Sequence, residues 1–77
     1  MTRAEALARM VAAMDQTIAR CFKSDVAAFC TEADRTDEEI EDFRRQLTAV
    51  FSQWRADQLP VFERILSERF GPTHELH

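Results

Sequence analysis

The sequence predicts an all-α chain, an antiparallel hairpin of two long amphipathic helices that dimerises into a four-helix bundle. Three observations predict it. The 77 residues include one Gly, two Pro, no Asn and no Tyr, which is too few turn residues for many short strands. Apolar residues recur at helical spacing along two long stretches. Between them, Thr36-Asp37-Glu38-Glu39 carries a helix-start signal. The expected layout is one domain over 1–77, with a helix over about 3–33, an acidic turn at 34–36, a helix over about 37–70 and a short frayed tail at 71–77.

The first segment opens on Thr2-Arg3-Ala4-Glu5, whose hydroxyl and carboxylate are spaced to satisfy free backbone N–H groups reciprocally. At 100° per residue, Leu7, Val11, Met14, Ile18, Cys21, Phe22 and Phe29 share one face, with Met10 and Ala28 at its edge. Arg9, Arg20, Lys23 and Ala27 point away. Cys21 is placed in the core as a small reduced thiol. Asp25 falls five turns after Leu7, at the centre of the apolar stripe. Three readings stay open: Ser24 or Asp25 caps a new short helix after a break; Asp25 forms a buried ion pair with the level Arg44 or Arg45; or Asp25 is a functional carboxylate.

The second segment runs from the Thr36 cap, with Glu39 completing a second capping box, to Phe70. Gly71-Pro72 ends it, Gly for the left-handed residue and Pro to prevent continuation. Its stripe is Ile40, Phe43, Leu47, Val50, Phe51, Trp54, Val61, Phe62 and Ile65. Gln58 and Pro60 interrupt it. Proline lacks the N–H that the Ala56 carbonyl would accept, so a kink is expected near Ala56 to Pro60. Either Gln58 or water satisfies the freed groups, or the site is a hinge or recognition notch. Val26, Val50, Leu59, Leu66 and Phe70 lie off the stripe centres and widen them, more than one hairpin seam requires. That width suits a homodimer or a groove offered to a partner helix, with Phe51, Trp54, Gln58 and Phe62 as the oligomer or partner seam.

Energetics point the same way. Ordering this chain costs about 115 kcal/mol, and burying a compact core of this mass returns about 120 kcal/mol. An elongated hairpin buries less than a globule, so a second copy or a partner is expected to complete it.

Charge is concentrated at the turn. Glu32, Asp34, Asp37, Glu38, Glu39, Glu41 and Asp42 stand against Arg35 alone, a local charge of −6 within a net −4. Acids in a first helical turn favour the macrodipole and keep a turn solvated. The same cluster can dock a basic protein surface, including one that otherwise holds nucleic acid. Direct nucleic-acid binding by the chain itself is not expected, since phosphate contacts need a basic face.

The catalytic inventory is thin. There is no Gly-rich phosphate loop, and His74 and His77 are far in sequence from either cysteine, so no oriented nucleophile can be assembled. Cys21 and Cys30 sit nine residues apart, on opposite sides of a continuous helix, which argues against a zinc site with the two histidines. No cofactor or metal is expected, and no enzyme. No apolar run reaches the length of a membrane span, and a cytoplasmic protein with reduced thiols is expected.

Met1-Thr2 with Glu5, a mid-chain turn, and Arg69-Phe70-Gly71 give the outline a resemblance to the small plasmid-encoded Rop-type hairpins. That resemblance implies short two-helix chains dimerising into four-helix bundles. The second segment here is longer and carries Pro60, and no basic face is present to grip RNA, so the RNA function is not carried over. The functional expectation is a non-enzymatic regulator or inhibitor acting by protein–protein contact, of a kind that suits a phage or plasmid inhibitor blocking a basic, nucleic-acid-handling target. The alternative is a structural or chaperone-like subunit of a larger assembly.

Overall fold

The computed structural model describes residues 1–71, and it holds two helices, α1 (Arg3–Glu32) and α2 (Asp37–Phe70). Both begin where the capping boxes place them. The Thr2 hydroxyl accepts from the Glu5 amide at 3.1 Å while Glu5 accepts from the Thr2 amide at 2.9 Å. Thr36 and Glu39 repeat the exchange at 3.1 and 2.8 Å. Gly71 ends α2 at a φ of 85°, in the left-handed region open to glycine, and its N–H reaches the Ser67 carbonyl at 2.9 Å. The tail from Pro72 onward, with His74 and His77, lies outside the described residues.

The helices pack antiparallel. Arg3 meets Glu63 near the termini, Asp15 meets Arg55 midway, and Phe29 stacks on Phe43 beside the turn. The particle is 58 Å long and only 18 by 15 Å across. Its radius of gyration of 17.3 Å far exceeds the roughly 11 Å of a compact chain of this length. Among the described residues, two side chains alone are buried hydrophobic core, Met14 at 4% exposure and Leu66 at 2%.

The seam follows an eleven-residue beat. Leu7, Ile18 and Phe29 on α1, then Ile40, Phe51 and Phe62 on α2, are each partly shielded and each eleven residues from the next on the same helix. Eleven residues make three turns at about 3.67 per turn, so the contact line drifts relative to a 3.6-residue helix. That drift corrects several expectations. On α1 the seam passes through Phe22 and Val26, leaving Cys21 and Asp25 exposed. Cys21 is therefore not a core thiol.

Asp25 neither caps a new helix nor forms a buried pair, because α1 is continuous through it and its side chain faces water. Arg44, one of its expected partners, places its guanidinium 5.6 Å over the Phe22 ring and 3.8 Å from Glu41 instead. On α2, Leu66, expected off-centre, is the most buried residue of the described chain, while Val50, Trp54 and Ile65 from the expected stripe face outward. The helix also runs unbroken through Pro60, which leaves the Ala56 carbonyl without an amide partner.

Candidate functional site

Two surfaces carry the features the sequence singles out: the acidic tip and an apolar flank. The tip is built from inside outward. Phe29 and Phe43 stack with centroids 4.2 Å apart and rings 2° from parallel. Arg35 covers Phe29 at 4.0 Å from the ring centroid and donates from Nε to the Phe29 carbonyl at 3.1 Å. A cation against an aromatic face is attracted by the ring quadrupole, so the tip's one base is used as an internal strut. The acids are left outside.

All seven tip acids are exposed, and the structure sorts them. Glu39 is committed to the capping box; the Thr36 amide, then its hydroxyl, hold this carboxyl below the ordinary 4.5. Asp42 accepts from Arg45 at 3.0 Å and from Gln46 at 2.8 Å. Glu41 and Glu32 have loose neighbours in Arg44 and Arg35, at 3.8 and 3.7 Å. Asp34, Asp37 and Glu38 make no side-chain hydrogen bond or ion pair among the described residues. These three are the charges that a partner could meet without breaking an internal contact.

The flank is formed by three adjoining depressions along one side of the hairpin. Near the termini, Met1, Ala6, Met10 and Phe70 line the first, with Arg69 at the same depression. The second shares Met10 and adds Ala13, Thr17, Trp54, Gln58 and Phe62, a volume of about 380 Å³. A third shares Thr17 and Trp54 and adds Cys21, Val50 and Phe51. Phe51, Trp54, Gln58 and Phe62, the expected seam, are thus brought together on one surface. Trp54 is 41% exposed and Val50 62%, and among the described residues no charged side chain lines the second or third depression.

A separate depression is lined by Ile18, Phe22, Thr48 and Phe51 and is bridged by a bidentate pair, Arg55 to Asp15 at 2.7 and 3.2 Å. Hydrogen bonding from Arg55 holds Asp15 below its ordinary 3.8, and Asp15 raises Arg55 in return. Such a fork fixes the relative position of two helices more than it stabilises them, because exposed pairs are screened. Sequence reading missed this pair and the α1 half of the flank, Met10, Ala13 and Thr17. The signal for the second was present, since these small and flexible residues stand opposite the outward-turned Trp54.

Among the described residues no group of three or more His, Cys, Asp or Glu side chains is arranged to hold a metal ion. Cys21 and Cys30 are both free and exposed. No helix among the described residues is long and apolar enough to cross a membrane. No family model, curated protein or solved structure matches the chain.

Proposed function

We propose that this chain is a non-enzymatic cytoplasmic protein that acts by protein–protein contact, as a homodimeric four-helix bundle serving as a regulator or inhibitor. The observation that carries this reading is the apolar flank. Monomers seldom expose a continuous apolar surface of this kind without a partner for it, and here the flank runs from Met1 and Phe70 to Cys21 and Val50. The acidic tip supplies the second part. Asp34, Asp37 and Glu38 present unpaired charge at the end of a rigid rod, which suits docking to a basic protein surface.

A structural subunit of a larger assembly fits the flank equally well but gives the tip no task beyond solubility. Reversing Asp34, Asp37 and Glu38 to Lys separates the two, because these changes spare both capping boxes. The docking reading predicts that basic proteins retained by the immobilised wild-type chain from its host extract are lost by the triple variant at unchanged helicity. An identical retained set for both sinks it.

A further inference from the structure

We infer that the apolar flank is closed by a second copy of this chain laid antiparallel, about a two-fold axis that passes beside Thr17 and Trp54. This rests on the dimer reading above and adds to it the face, the register and the orientation.

Surface area identifies the occupant. The chain exposes 5,893 Å², against about 4,800 Å² for a compact globule of its mass. Two copies merging into a compact body of twice the mass would bury about 3,800 Å² in total. The six residues after Gly71 hold at most about 1,000 Å² per chain, and leaving them out of both sides still gives about 2,300 Å². Both figures fall within the roughly 2,000–5,000 Å² of obligate homodimers. One further hairpin of the same length therefore suffices to cover the flank.

Register follows from the chain's own geometry. Thr17 lies midway along α1 (Arg3–Glu32) and Trp54 midway along α2 (Asp37–Phe70), and the two share both central depressions. A two-fold axis there overlaps the copies along their whole length. Because the axis crosses both helices, α1 faces α1 and α2 faces α2 of the other copy, and Thr17 and Trp54 each meet their own counterparts beside it, as an isologous contact requires.

Orientation follows from charge. A parallel pairing places two tips of charge −6 side by side, within about two Debye lengths at ordinary salt. The antiparallel pairing separates them by about 50 Å, at about 1.5 Å of rise per helical residue, and sets each beside the other chain's terminal end. Among the described residues that end carries Arg3, Arg9, Arg64 and Arg69 against Glu5, Glu63 and Glu68. The assembly would then present one docking tip at each end of a single rod.

Spin labels at Glu38→Cys and, separately, at Ser24→Cys, each in a Cys21→Ala, Cys30→Ala background, test this by pulsed dipolar distance measurement, with particle mass recorded on the same samples. The antiparallel pairing predicts a particle of twice the 8.9 kDa chain mass. From the helical rise and the distance of each label from the axis, it predicts a separation of about 50 Å at the tip and about 20 Å at position 24. Added salt should leave dimerisation unchanged or weaken it. Thr17→Glu should give a particle of single-chain mass with lower helicity and red-shifted Trp54 emission. A dimer in which the tip labels lie as close together as those at position 24, tightening as salt rises, overturns the orientation while leaving the dimer reading intact. An 8.9 kDa wild-type particle with full helicity overturns both.

Discussion

Leu66 and Ile65 are neighbours in sequence with opposite environments, and truncating each measures how the hairpin is held together. Leu66 is 2% exposed and Ile65 40%. Leu66→Ala removes three carbons from the seam, about 2.4 kcal/mol of transfer free energy at about 0.8 per methylene, to which a cavity adds. Met1, Ile65 and Phe70 at the rim of this site retain exposed surface and can lean into the space, so the loss should stay at about 3 kcal/mol and below the roughly 5 of a rigid core.

Urea unfolding followed by circular dichroism is the assay. With a slope of about 1 kcal/mol/M for so small a protein, the midpoint should fall by about 3 M. Ile65→Ala should cost less, and its cost should grow with protein concentration if a second copy covers the flank. A smaller midpoint shift for Leu66→Ala than for Ile65→Ala, at any concentration, would refute the assignment of the seam.

Two further outcomes are expected. Pro60→Ala restores the amide that the Ala56 carbonyl lacks and should raise the melting temperature, by up to about 3 kcal/mol of stability; a lowered melting temperature would mean that the packing depends on the proline. Glu39 has a folded pKa depressed below 4.5 by its cap. The unfolded state therefore binds more protons, so this stability is present above about pH 4.5 and is lost as pH falls through the folded value. Glu39→Gln should thus melt below wild type at pH 7 and converge with it in acid. A difference that persists or widens in acid would contradict the sign.

Much of this fold is legible in the chain. Thr2 with Glu5, Thr36 with Glu39, and Gly71 each have a local chemical task that needs no distant partner, so both helix starts and the second helix end fall where those residues place them. The phase of the seam was harder. A straight 100° projection puts Cys21, Asp25, Val50 and Ile65 inside, whereas the eleven-residue beat through Leu7, Ile18 and Phe29 carries the contact line past them. An error of about 2° per residue accumulates to about 55° over thirty residues, enough to move a residue from the seam to its edge.

The cross-helix choices of Arg35, Arg44 and Arg55 were less accessible still. Each has several acids within reach in sequence, and only the packed geometry decides that Arg35 and Arg44 take aromatic rings while Arg55 takes Asp15. The flank became visible by the same correction. Once Trp54 and Val50 leave the seam, they join Met10, Ala13 and Thr17 on a second surface.

The account turns on whether that second surface is covered by another copy of the chain. Particle mass of the untagged wild-type protein by sedimentation equilibrium over a dilution series is the most direct measurement. The account predicts a particle of twice the chain's 8.9 kDa, with dissociation on dilution accompanied by a red shift of Trp54 emission and loss of helicity. A fully helical particle of 8.9 kDa at every concentration would contradict it.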